Sequence, residues 1–343
     1  MDHNPLGIPF DKINEKKGTM TFKIKNGNLM STSSENILFF DVQVGESRFF
    51  LNRDKNFDLV FTHWSTKTGI RVAKIDLKEF NVGNGLFVAL IWSENENRLH
   101  VGEIGKSNIK FVNAEQKEGK IRLGNDGALY EIGDGVKMVH ITSGGHDVLL
   151  PTAKELWDFI IEKVNVLIDG CKLKDFLFET TLAQQCLVML MTGLEIYTKT
   201  RFLEMEKEGK NPNIDALLHE FARNSNEIKN YSQTTGKSIF QSLFEIGGKG
   251  LINFQDWDKC KTAYNKGYDI KFGDLPDLKG KTLENIQKYA EWRHKIIHSR
   301  KDMAVLNIND VPPAEPLFSN KEFIEMAKND FVEFVEKLHK QTI

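Results

Sequence analysis

In the stretch EWRHKIIHSR, Glu291 to Arg300, two arginines and two histidines fall within eight residues, in a chain with only 9 histidines. Ile286, Tyr289, Ala290, Ile296 and Ile297 recur at three- and four-residue steps, which predicts a helix and puts Arg293 on the face that it buries. A guanidinium cannot shed its charge there, so it needs a carboxylate, a phosphate or a second subunit. One reading is a structural ion pair with Glu195, which interrupts the apolar face of another helix. The other is a phosphate site. His298 stands five residues after Arg293, about 140° round a straight helix. The two meet only if the helix ends or distorts near Ser299, or if a second copy supplies the missing neighbour. Histidine titrates near neutral pH and can move the proton of a 2′-hydroxyl or of a leaving oxygen. Arginine stabilises the charge that develops on the phosphate. Together they suit RNA cleavage with no metal.

The four-residue spacing of His294 and His298 also invites a metal reading. Lys295, however, stands where zinc peptidases with a His-Glu-x-x-His helix carry their Glu, and no third ligand is evident. Neither a metal nor a cofactor is expected. The Gly-rich EIGGKG, Glu245 to Gly250, lacks the Ser/Thr and the preceding strand of a phosphate loop and reads as a plain connection.

The string RHKIIH resembles the Arg-x4-His motif of the HEPN superfamily, the higher eukaryote and prokaryote nucleotide-binding domains. In that motif an Arg is often followed by a polar residue, and a His comes four to six residues after the Arg. Arg293, His294 and His298 match the three positions. The setting is similar too: a long helix bearing the Glu of TGLEIYTK, an intervening segment, and the motif late on another helix. The resemblance covers roughly residues 150 to 343. It implies a metal-independent endoribonuclease whose site forms across a homodimer of motif helices. Such an enzyme works by 2′-hydroxyl attack and leaves a 2′,3′-cyclic phosphate. It implies Arg293 and His298 as the catalytic pair, with His294 and Glu195 in support and Glu195 orienting Arg293. Many members are toxins or antiviral defence effectors that cleave cellular RNA. Some carry a Tyr two residues after the motif His as a point of control; Arg300 stands there in this chain. The resemblance also admits a non-catalytic module that binds a nucleotide or a protein.

These residues need a helical scaffold, and the second half provides the pattern for one. Thr152 and Glu155 fit a capping box, followed by Leu156, Phe159, Ile160 and Val164 on one helical face. A long helix is predicted from Phe178 to about Lys207, with Leu182, Cys186, Met189, Leu190, Gly193 and Ile196 as its stripe. The motif helix runs from Thr282 to about Arg300. Ser319 with Glu322 caps a last helix whose stripe is Phe323, Ala327, Phe331, Phe334 and Leu338. The expectation is an all-α helical bundle of HEPN type.

The first half alternates with period two. MTFKIKNG puts Met20, Phe22 and Ile24 on one face and ends in an Asn-Gly turn. Similar short runs follow, including NILFFDVQVG, DLVFTHW, GIRVAKIDL, GLFVALIWS, KIRLG and VKMVHIT, which together indicate an antiparallel β-sandwich. From Trp92 to Gly102 and in strand rhythm this half resembles the concanavalin-like or laminin-G-like jelly roll. That implies a ligand- or partner-binding sensor whose ligand cannot be named. Trp64 and Trp92 read as sandwich core. His63, His100, His140 and His146 lie near strand ends without metal spacing. The chain is thus expected to be α+β in two domains, 1–147 and 148–343.

Composition narrows the class further. The 343 residues are 40% hydrophobic and 27% charged, with net charge -2 and pI about 6.5, as in a globular protein. No broad basic excess draws the chain to nucleic acid or anionic membrane, so any RNA contact must be local. Cys171, Cys186 and Cys260 form neither a disulfide framework nor a zinc motif. The opening MDHNPLGIPF has no basic and apolar leader pattern, so a cytoplasmic, non-membrane protein is expected.

Overall fold

Met20, Phe22 and Ile24 alternate with Thr21 and Lys23, and all three apolar side chains are fully buried along β1 (Gly18–Ile24). The structure, a computed structural model, describes residues 13–25, 29, 36–104, 106, 108–123, 130–133, 135–149, 151–170, 176–222, 224–246, 250–298 and 321–343. The chain is α+β and divides into two compact units, Met1–Pro151 and Thr152–Ile343.

The first unit continues with β2 (Ile37–Val44), β3 (Ser47–Arg53), β4 (Asp58–Ser65), β5 (Gly69–Asp76), β6 (Leu86–Trp92) and β7 (Asn97–Glu103). After these come β8 (Ile109–Asn113), β9 (Glu115–Lys117), β10 (Tyr130–Ile132), β11 (Val136–Ser143) and β12 (His146–Leu149). They form two six-stranded antiparallel sheets, ordered β12-β11-β1-β6-β7-β8 and β10-β2-β3-β4-β5-β9. One apolar core joins the two: Phe22 of the first sheet meets Phe40 of the second at 5.0 Å between ring centroids, and Trp92 meets Phe49 at 4.8 Å. Gly18 has to be glycine, because a Cβ there would lie 2.2 Å from the Trp92 ring.

Several expectations change on contact with this packing. KIRLG forms no strand over its described residues; β8 and β9 run just before it instead. Trp92 is core, 1% exposed, but Trp64 points the other way. It is half-buried, with the Arg48 guanidinium 5.4 Å from its ring centroid. Strand alternation explains this, since His63 and Ser65 take the inner positions and Trp64 falls between them. Gly144 and Gly145, which in sequence suit a boundary loop between the two halves, instead form the turn between β11 and β12, with φ of 61° and 91°. The Asn26-Gly27 turn lies outside the described residues.

The second unit holds eight helices among the described residues: α1 (Ala153–Gly170), α2 (Phe176–Lys207), α3 (Ile214–Phe221), α4 (Ser225–Thr235), α5 (Ile239–Glu245), α6 (Trp257–Tyr268), α7 (Thr282–His298) and α8 (Lys321–Thr342). The capping box of α1 is formed: Glu155 N–H donates to Thr152 Oγ1, and Thr152 N–H donates to Glu155 Oε2. The buried face of α1 is Ala153, Trp157, Val164 and Ile168, one position round from the expected Leu156, Phe159 and Ile160, which are half-buried. Trp157 decides the rotation, since the largest side chain enters the core between Tyr197 and Phe331. α2 is buried on most sides from Ala183 to Met205, so a one-sided stripe understates it; Ile196 is 38% exposed. The α8 stripe is buried at all five expected positions. Its proposed Ser319 cap and Cys171 lie outside the described residues. Cys186 and Cys260 are buried and form no disulfide. Among the described residues no helix is long and apolar enough to cross a membrane.

Candidate functional site

The motif helix α7 is held against α8 by two carboxylates, Asp330 and Glu333. Asp330 Oδ2 accepts from Tyr289 Oη at 2.8 Å and from Asn285 Nδ2 at 2.9 Å. One turn earlier on α7, Thr282 Oγ1 donates to Glu333 at 3.0 Å. Burial and the bond to Asp330 push the Tyr289 phenol well above its ordinary range, so it stays a donor. Trp292, 8% exposed, packs at a tilt against Tyr289 and Phe323. The core face of α7 is therefore Ile286, Tyr289 and Trp292, with Ile296 half-buried. Ile297, expected in the core, is 49% exposed, because Trp292 turns the helix toward α8.

This rotation leaves Arg293 half-buried at the edge of the core. It lines a small recess with Leu194, Glu195 and Thr198 of α2 and with Gln255 and Trp257 at the start of α6. The two residues that the sequence pairs, Arg293 and Glu195, thus share one recess. Among the described residues, however, no ion pair joins them, and Arg293 Nε is buried with no hydrogen-bond partner. The structural ion pair expected there is not formed.

Arg201, on the same helix as Glu195, is a structural arginine. It is 2% exposed and saturated. Its Nη1 donates to Glu208 at 2.6 Å and Glu204 at 3.2 Å, its Nη2 to Glu208 at 2.6 Å, and its Nε to Thr342 Oγ1 at 3.0 Å. The bond to Arg201 holds the Glu208 carboxyl below its ordinary value. Sequence reasoning missed this cluster, although acidic residues three and seven positions after a buried arginine were a usable signal.

His294 is exposed on the solvent side of α7. His298 is the last residue of α7; its side chain lies outside the described residues. Helical structure reaches His298, so the backbone positions of Arg293 and His298 stay about 140° apart round the axis. Within one copy, α7 does not distort to bring them onto one face. Among the described residues no group of three or more His, Cys, Asp or Glu side chains could hold a metal ion.

No family model matches the chain, and no curated protein does. Among solved structures, the LG1-3 region of the laminin alpha2 chain is similar over 40% of this chain and 29% of that one, with 10% identity and a TM-score of 0.27. The two-sheet architecture rests on the strand pairing described above, and the helical unit on its own packing.

Proposed function

We propose that the helical unit is a metal-independent endoribonuclease of HEPN type, with Arg293 and His298 as its catalytic pair. The observation that carries this reading is the contrast between two arginines. Arg201 has a partner for every nitrogen, whereas Arg293, in one recess with the Glu195 carboxylate, has among the described residues no ion pair and a buried Nε with no hydrogen-bond partner. The recess has a volume of about 10 Å3, room for about one water, so in this reading a phosphate diester pairs with Arg293 from outside the recess. Glu195 lines the same recess, and its supporting role in this reading is to orient Arg293 once the substrate is bound. His294 has a lesser, supporting role.

In the proposed reaction the His298 imidazole takes the 2′-hydroxyl proton, the oxygen attacks the adjacent phosphorus, and Arg293 stabilises the added negative charge. The 5′-oxygen leaves with a proton, and the other fragment ends in a 2′,3′-cyclic phosphate. The helical geometry of α7 favours a homodimer, because a two-fold axis beside α7 would supply from one copy the group that the other cannot turn to its own arginine. The exposed Ile297, next to the motif, supports such a face. The β unit would act as a sensor that restrains the nuclease until its ligand binds, as a cytoplasmic toxin or defence effector requires.

The test is to incubate purified protein with mixed RNA, with and without EDTA, and to analyse the ends produced. Cleavage that survives EDTA and leaves cyclic phosphate supports the reading; no cleavage, with nucleotide binding instead, points to the non-catalytic module. Light scattering should give a dimer at micromolar concentration, and a monomer would contradict the two-fold site.

A further inference from the structure

One end of the β unit's interior is polar where the strand pattern calls for apolar residues. In the β3–β4 pair the inward rows are Arg53/Leu59, Leu51/Phe61, Phe49/His63 and Ser47/Ser65. The last two rows place Ser47, His63 and Ser65, all under 5% exposed, around a cavity of about 230 Å3. Thr68, from the β4–β5 turn, also lines it. The space is several times the roughly 30 Å3 that one water occupies, so a single bridging water does not fill it.

The hydrogen-bond pattern fixes what His63 offers. Arg71 only donates, and its Nη1 reaches Asn97 Oδ1 at 3.4 Å, so the Asn97 amide presents its Nδ2 to His63 Nδ1 at 2.8 Å. Nδ1 is then an acceptor, and the ring proton of the neutral imidazole sits on Nε2. Among the described residues that buried Nε2–H has no hydrogen-bond partner, and the buried Ser47 Oγ and Thr68 Oγ1 have none either. Phe49 stacks on His63 at 4.5 Å, which holds the ring in place. Burial first, and then the nearby Arg71, bring the His63 pKa down to about 4, so the ring is neutral at physiological pH.

The mouth carries four ionised groups that cancel. Lys67 pairs with Glu15, and Lys16 lies 3.7 Å from Glu94. An ionic ligand would have to break one of these pairs and would meet no net charge in return. We infer that this cavity binds a small uncharged polyhydroxylated molecule, of the sugar or polyol class, with one oxygen accepting from His63 Nε2–H and neighbouring hydroxyls paired with Ser47 and Thr68. A hydroxyl both accepts and donates, which is what one fixed donor and two rotatable hydroxyls require together. The inference stands on the β unit alone and does not depend on the ribonuclease reading.

The experiment uses the full chain, 15N-labelled, and follows the histidine ring nitrogens by long-range proton–nitrogen spectra. The probes are glucose, galactose, mannose, ribose, inositol and glycerol, with glucose 6-phosphate, glucuronate and acetamide for comparison, each up to about 10 mM, a range that detects millimolar affinity. The expected result is a His63 signal protonated at Nε2 that shifts with at least one neutral sugar or polyol. Ser47→Ala should weaken that binding about fivefold, the loss expected for one hydrogen bond. His63→Phe should abolish it; if that variant does not fold, Ser47→Ala carries the comparison. The inference is overturned if no neutral polyhydroxylated probe moves the His63 signal, or if a charged probe or acetamide binds more tightly than all of them.

Discussion

Arg293 and Glu195 line one recess between α7 and α2 without forming an ion pair. A buried N–H left without a partner costs on the order of 1–3 kcal/mol. Among the described residues the fold gains no ion pair from Arg293 at this point.

Replacing that arginine separates stability from function. Arg293→Met keeps most of the side-chain volume and removes the unsatisfied nitrogen. It should leave the thermal midpoint unchanged or raise it by a few degrees. Calorimetry on the full chain checks this. A drop equivalent to about 3 kcal/mol would mean that Arg293 is a structural partner after all.

The platform of the motif helix makes the opposite prediction. Asp330→Ala removes the acceptor shared by Tyr289 and Asn285 and leaves two donors unpaired. A destabilisation of about 2 kcal/mol is expected by chemical denaturation. A neutral result would show that α7 does not rely on the Asp330 bonds for its position.

What the sequence made legible follows from how each signal arises. Strand alternation and helical stripes reflect burial directly, so Met20, Phe22 and Ile24, and the α8 run from Phe323 to Leu338, were readable. The rotation of α1 by one position and of α7 away from Ile297 was not, because each depends on where one tryptophan finds space among residues far along the chain. The clustering of Arg293 with Glu195 was legible from helical phase, but the absence of an ion pair between them was not, since it turns on a few ångströms of side-chain reach. His63 was visible only as a strand-end histidine. Its place at the cavity depends on the register of β3 with β4, and its tautomer on Asn97 from the other sheet.

His63 also makes stability depend on pH. Its folded pKa, about 4, lies below the ordinary 6.5, so between those values the unfolded chain binds the proton that the folded chain refuses. The contribution is intact above pH 6.5, falls as pH drops through the window, and levels off below pH 4. For a fully buried ring the total is about 3 kcal/mol. Arg71 and Glu15 face the same imidazole, from β5 and from the segment before β1, and Arg71 opposes protonation. The His63 ring should remain neutral at pH 5 when followed by NMR. A ring that titrates near 6.5 in the folded protein would contradict both this assignment and the buried position of His63.

The central claim concerns Arg293 and His298, and the most direct measurement is the RNA cleavage rate of the full chain beside Arg293→Ala and His298→Ala, with circular dichroism to confirm that each variant is folded. Removing a group that acts only in the transition state should lower the rate at least about a hundredfold in each variant, with a smaller loss for His294→Ala. Cleavage at the wild-type rate by either folded variant, or no cleavage by the wild-type chain, would contradict the account.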